Sequence, residues 1–235
     1  MRIHGSTALV TGANRGLGQV MARMLLQRGA RRVYGGARDP RTVVEPGVIP
    51  VRLDVTDPAR VAAAAGTCSD VTLLVNNAGV LTDSPLLGAP DLDAARTEMD
   101  VNYFGTLSMC RAFAPLLIGN APGAIVNVLS IASWFTNPAM GSYSASKAAA
   151  WALTNGIRGE LHDTGILVVG VHCGYIDTDM AAHVTGAKNT PEVIARQTFD
   201  AVEAGRTEVL ADERTRQTKA ALSLPPGTTA SPHRP

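Results

Sequence analysis

The chain is poor in lysine and cysteine and has no long apolar run. Three of its 21 basic residues are lysines; the rest are arginines, and 20 acidic residues leave a net charge of +1. A nucleic-acid surface shows a basic excess gathered on one face, so nucleic acid is not an expected partner. No run of 18 apolar residues occurs, and no transmembrane helix is expected. Cys68, Cys110 and Cys173 are odd in number, far apart and without a CxxC. Isolated reduced thiols are expected, with no disulfide framework and no metal site. The start "MRIHGSTALV" has no signal-peptide pattern, because a turn-forming glycine motif follows it at once, and a cytoplasmic protein is expected.

At 46% hydrophobic residues, 235 positions are enough for one α/β domain with a sizeable core. Short β-branched runs alternate with helical patterns, an order that implies parallel strands joined by crossover helices. The runs "TALVTGA", "RRVYGGAR", "VIPVRLDV", "VTLLVNNAG", "AIVNVLS" and "ILVVGVH" read as six strands, and "TEVLA" as a short seventh. Helices are predicted over 17–29, from Asp91 to about Leu117 with Pro115 bending or fraying its end, over 141–161, and from Thr190-Pro191 to about Ala204. Nine residues between the second and third strands are too few for a crossover helix, so a loop is expected there. The domain is expected over 1–222, followed by a disordered tail at 223–235, rich in Pro, Ser, Thr and Gly.

"TGANRGLG" (11–18) lies between a predicted strand and a predicted helix, the context of a dinucleotide-binding turn. Gly12 permits the tight turn, while Gly16 and Gly18 let backbone approach a pyrophosphate at the positive helix end. A glycine turn serving only helix–strand packing would read alike locally. An NAD-selective site usually carries a carboxylate at the end of the second strand. Here Ala37 stands there, followed by Arg38, with Arg15 in the glycine turn within reach. Two guanidiniums suit a 2′-phosphate, so NADPH is expected over NADH. Asp39 would take the acid's place if the register slipped by two.

Tyr143 precedes Lys147 by four residues, which stacks the two side chains on one helix face. An ammonium about 4 Å from the phenol, at an effective dielectric of 20, contributes about 4 kcal/mol. That would draw the phenol's pKa from about 10 toward neutrality, where a general acid–base group works best. With four tyrosines and three lysines, a chance YxxxK is roughly a one-in-twenty event. Ser130 ends the fifth strand, at the sheet edge where ligands bind in open parallel sheets. Asn102 falls inside the long helix, where asparagine is a poor former. It would hold a water linking Lys147 to solvent, or merely bond a neighbouring carbonyl.

Together "TGANRGLG", "NNAG" (76–79), "VN" (101–102), Ser130 and "YSASK" (143–147) resemble the short-chain dehydrogenase/reductase family over about residues 5–180. The resemblance implies a Rossmann-like, doubly wound parallel sheet in one domain, with Asn102, Ser130, Tyr143 and Lys147 as a catalytic tetrad. It implies that Tyr143 exchanges the proton, Ser130 holds the substrate oxygen, Lys147 binds the nicotinamide ribose, and Asn102 keeps a relay water. Cofactor contacts are implied for Gly12, Asn14, Arg15, Gly16, Leu17, Gly18, Arg38, Asp54, Val55, Asn76, Ala78, Gly79, Tyr143, Lys147, Ile176 and Thr178. The family's usual Pro-Gly after the sixth strand is Cys173-Gly174 here, and its glycine-rich C-terminal pattern is missing. The expected activity is NADPH-dependent reduction of a ketone or aldehyde to an alcohol, reversible in principle. The alternative is a regulator that senses NADP(H) without turnover.

Leu81, Leu86, Trp134, Phe135, Met140, Tyr175 and Met180 fall in segments expected to line the substrate pocket, so an apolar or aromatic carbonyl compound is expected. Each also suits ordinary core or lid. His172 reads as a satisfied core histidine and His183 as a pocket candidate. Residues 181–190 are expected to form a lid. A homodimer pairing the helix from Asp91 and the tyrosine helix across a two-fold axis is the expected assembly.

Overall fold

A computed structural model describes residues 1–224. Seven strands form one all-parallel sheet: β1 (Thr7–Thr11), β2 (Arg32–Ala37), β3 (Val48–Arg52), β4 (Leu73–Asn76), β5 (Gly123–Val128), β6 (Ile166–His172) and β7 (Glu208–Leu210). Their order is β3-β2-β1-β4-β5-β6-β7, the doubly wound arrangement expected from the sequence. Helices α1 (Gly16–Gln27), α2 (Pro58–Thr67), α3 (Asp93–Met99), α4 (Thr106–Gly119), α5 (Gly141–Glu160), α6 (Pro191–Glu203) and α7 (Glu213–Ala220) complete it. None is long and apolar enough to cross a membrane.

Side chains alternate across each strand, so every central strand feeds two cores. Ala8, Val10, Leu73 and Val75 pack with Leu17, Met21 and Leu25 of α1 and Ile194 and Phe199 of α6. Leu9, Leu74, Ile125 and Val168 face the other way, against Val61 of α2, Met109 and Phe113 of α4 and Ile157 of α5. The winding direction reverses between β1 and β4, which opens a crevice above their carboxyl ends.

The passage from β2 to β3 is a loop with one 3₁₀ turn at Pro40–Thr42, as its length demands. Helices α2 and α7 lie outside the expected elements. Each is opened by an aspartate: Asp57 accepts from the backbone N–H of Ala59 and Arg60, and Asp212 from that of Thr215. The long helix also differs in detail. It runs on through Pro115 to Gly119, and its irregularity falls instead at a π-helical turn, Asp100–Gly105, which contains Asn102. From residue 225 on, the expected tail lies outside the described residues.

Candidate active site

A cavity of about 840 Å³ occupies the crevice, walled by the segments that follow β1 to β6 and by α5 and α7. Its two ends are built differently. At one end the glycine turn and the β4 exit are laced together. The Thr11 hydroxyl accepts from the N–H of Asn77 and Ala78, both at 2.9 Å, and Asn77 Nδ2 donates to the carbonyls of Thr11 (2.9 Å) and Gly12 (3.3 Å). Gly18 sits so close beneath that a Cβ there would stand 2.2 Å from the Gly12 carbonyl oxygen. Gly16 has a φ of +53° and faces the Thr178 methyl, which brings the glycine turn against the segment after β6.

Of the expected cofactor residues, Gly12, Asn14, Arg15, Gly16, Leu17, Gly18, Arg38, Asp54, Val55, Ala78, Gly79, Tyr143, Lys147, Ile176 and Thr178 line this cavity. Asn76 does not. It is buried below the floor, its Nδ2 donating to Asn127 Oδ1 at 2.9 Å, while the unexpected Asn77 takes the cavity wall. The reason is parity: Asn76 still belongs to β4, paired with Asn127 of β5, and successive side chains alternate.

Around Arg38 the acids are already engaged. Asp39 holds both Nε and Nη2 of Arg41, whose guanidinium keeps its carboxyl below the usual range. Burial would raise the Asp54 carboxyl, but the Thr56 hydroxyl and N–H, with Arg38 nearby, hold it low. Arg15 reaches Asp179 at 3.4 Å across largely exposed surface.

At the other end Ser130, Tyr143 and Lys147 meet at the same cavity. Ser130 caps the 3₁₀ turn Ile131–Ser133 by accepting from the N–H of Ala132. Its carbonyl is held from behind by Nδ1 of His172 at 3.2 Å. His172 is a core residue as expected. Burial pushes its imidazole down to about 4, and Trp134 stacks on it with centroids 3.8 Å apart.

The proton balance differs from the expectation for Tyr143 and Lys147. Burial raises the Tyr143 phenol well above its ordinary value, with the Ser130 hydroxyl pulling the other way. The Lys147 ammonium lies 5.8 Å from the phenol's ring centroid and donates to the Val128 carbonyl at 3.0 Å; burial pushes it down to about 8. Desolvation therefore outweighs the attraction anticipated from their spacing. The amide of Asn102 is engaged too. It exchanges hydrogen bonds with the Val80 backbone in both directions, at 3.0 Å each, and donates to Ser146 Oγ at 2.9 Å. The carbonyl it bonds is that of Val80, on the loop after Gly79.

Glu98, unforeseen in the sequence, is fully buried and accepts three hydrogen bonds: from the N–H and hydroxyl of Thr82 and, at 2.5 Å, from the hydroxyl of Ser142. It ties the loop after Gly79 to the first turn of α5, next to Tyr143. Its position four residues before Asn102, on the same helical face, was the available signal. Of the residues expected at a substrate pocket, Leu81, Phe135, Met140, Tyr175 and Met180 line the cavity, whereas Leu86 and Trp134 do not. Leu86 lies over Gly141, largely exposed, and Trp134 turns inward onto His172. His183 is exposed and outside the cavity wall. Arg214 of α7, also unforeseen, reaches that wall.

The segment between β6 and α6 leaves and returns through one clasp. Ile176 bridges Asn189, and Asp212 Oδ2 accepts from the Gly174 N–H and from Asn189 Nδ2, both at 2.8 Å. The other Asp212 oxygen caps α7 through the Thr215 N–H and hydroxyl. These bonds hold the Asp212 carboxyl low despite its burial.

A family model described as short chain dehydrogenase matches residues 6–189. A short chain dehydrogenase from Burkholderia cenocepacia, solved in complex with NADP, is 45% identical, covers 95% of each chain and superposes with a TM-score of 0.92. A short chain dehydrogenase/reductase from Burkholderia phymatum, solved in complex with NAD, is 26% identical over 94% of this chain and 93% of its own, with a TM-score of 0.84. The short chain dehydrogenase tazN of Aspergillus terreus is 34% identical over 77% of this chain. The match spans only 43% of that relative's length.

Proposed function

Because the chain belongs to the short chain dehydrogenase family, we propose that this oxidoreductase uses NADPH to reduce a ketone or aldehyde to the alcohol, reversibly, with Tyr143 as the proton donor. The observation that carries this reading is the convergence of Ser130, Tyr143 and Lys147 on the cavity that also holds the glycine turn. The cavity's own features fit such a cofactor: a backbone cradle that a Cβ at Gly18 would fill, and Arg15 and Arg38 at its rim. When bound, the dihydronicotinamide supplies the hydride, and the protein supplies distance, orientation and the proton.

In this reading the Ser130 hydroxyl holds the carbonyl oxygen beside the Tyr143 phenol. A phenol raised by burial is neutral at working pH and has a proton to give as negative charge develops on that oxygen. Lys147, lowered to about 8, lies close enough to neutrality to exchange protons with solvent and restore the phenol. Asn102 acts as a positioning residue, fixing Val80 and Ser146 on either side of the pair. The preference for NADPH is supported by Ala37 in place of an acid at the end of β2, by Arg38 at the cavity rim, and by the commitment of Asp39 to Arg41.

The test is an absorbance assay at 340 nm with NADPH and NADH, each against a panel of apolar and aromatic carbonyls, for the wild type and Tyr143→Phe. The variant is expected to lose at least about 10³-fold in turnover while binding NADPH within about threefold of wild type. Unchanged turnover in Tyr143→Phe would remove the assignment, and a wild type that binds NADPH yet reduces nothing would favour a sensor. Homodimer assembly through α4 and α5 belongs to the same reading, and sedimentation of the full chain tests it.

A further inference from the structure

Helix α7 is a poor helix to find at an active site. It is strongly polar, and Thr215 is its only buried residue. What it offers the neighbouring segment is cations: Arg214 lies over the Phe135 ring, 5.6 Å from the centroid, and Lys219 lies over Trp134 at the same distance. Their roles differ. Lys219 pairs with Glu208, and Trp134 faces the core, so that contact docks the helix. Arg214 and Phe135 both line the cavity. Acids near the rim already have cations, Asp179 with Arg15 and Asp177 with Lys188, and Glu213 is held by Arg216 and Gln217. Arg214 pairs with no carboxylate among the described residues.

A guanidinium resting on an aromatic face keeps its in-plane N–H fork available, and that fork matches a carboxylate with two parallel hydrogen bonds. Ser130, Phe135 and Arg214 all line the one cavity, and Arg214 is in contact with Phe135. We propose that Arg214 selects the substrate's far end: the cavity takes a carbonyl compound whose apolar, arene-sized body lies against Phe135 and whose terminal carboxylate meets the Arg214 guanidinium. This rests on the dehydrogenase reading of Ser130 and Tyr143 and adds a substrate class to it, the aryl or alkyl keto acids.

The probes are 4-acetylbenzoate and its neutral counterpart 4-acetylbenzamide, assayed with NADPH. The unreactive 4-isopropylbenzoate and its amide are titrated calorimetrically into the NADPH-saturated protein. Wild type is expected to favour each carboxylate over its amide by at least about tenfold in kcat/KM and in Kd. Arg214→Ala should bring both ratios close to one, and Arg214→Lys should recover part of the preference. Equal handling of acid and amide by wild type overturns the proposal and leaves the dehydrogenase reading standing. So does an Arg214→Ala variant that weakens both alike, since that reports only the docking of α7. Arg214-dependent binding of the carboxylate without turnover of either ketone would instead sink the dehydrogenase reading and spare the anion site.

Discussion

The two ends of the cavity solve the same problem with different materials. The nucleotide end is made mostly of backbone: carbonyls and N–H groups of residues 11–18 and 76–79, brought together by Thr11 and Asn77 and by glycines that leave no room for a Cβ. The other part of the wall is made of side chains from four separate segments, Leu81, Phe135 with Met140, Tyr175 with Met180, and Arg214. A backbone cradle admits almost no substitution, because each atom is also part of the turn that shapes it. A side-chain wall admits many. The first end should therefore lose folding and binding together when altered, and the second should change selectivity while the fold stands.

Gly18→Ala is the severest way to strain that contrast. Its methyl would meet the Gly12 carbonyl at 2.2 Å and Asn77 Nδ2 at 2.5 Å, neither of which can yield without opening the turn. About 3 kcal/mol of stability and most NADPH affinity should go together, read by denaturant melts and fluorescence titration. A stable variant with normal affinity would show that the cradle is looser than its packing implies.

Glu98→Gln probes the join between the two ends. Three donors point at the carboxylate, and an amide can accept from only some of them. A loss of about 2 kcal/mol is expected, with kcat falling more than NADPH affinity, because the loop after Gly79 and the Tyr143 turn lose their common anchor.

His172 makes the wall behind Ser130 sensitive to acid. Its folded pKa of about 4 lies below the unfolded value of 6.5, so the unfolded chain binds the proton first. Stability is then full above pH 6.5 and is lost as pH falls toward 4, by about 1–2 kcal/mol between pH 7.5 and 5. Burial outweighs the Ser130 carbonyl and Glu208, which favour the charged ring, and Lys219 and Lys147 act in the same direction as burial. Denaturation midpoints at the two pH values should show a smaller drop in His172→Gln; an equal drop would assign the acid sensitivity elsewhere.

Met180→Ala is the mildest test. The side chain is 46% exposed at the cavity wall, so stability should move by less than about 0.5 kcal/mol while relative KM values across the carbonyl panel shift. A large stability loss here would erase the distinction between the ends.

The same contrast explains what could be read in advance. Strands buried on both faces announce themselves as β-branched runs, and the glycine turn and the Tyr143–Lys147 spacing are local patterns that survive without coordinates. Helices α2 and α7 were harder, because their apolar faces are thin: α2 buries only Val61 and Ala64, and α7 only Thr215. Their aspartate caps were the legible signal. Choosing Asn76 over Asn77 required knowing where β4 ends, since one residue of parity turns a side chain from wall to floor. The direction of the Tyr143 shift depends on how deeply the phenol is buried, a tertiary property that spacing along one helix does not contain. Arg214 approaches from a helix more than 70 residues past Tyr143, and no pattern in that polar stretch points toward Phe135.

Asp212 has a consequence for how this molecule diversifies. Since one carboxylate grips both the outgoing strand exit and Asn189 on the way back, the stretch between them leaves and rejoins the body of the protein at a single acidic anchor. Its largely exposed tip, residues 182–187, should accept new sequence while position 212 stays acidic, whereas Thr178 and Asp179, which meet the glycine turn, share none of that freedom.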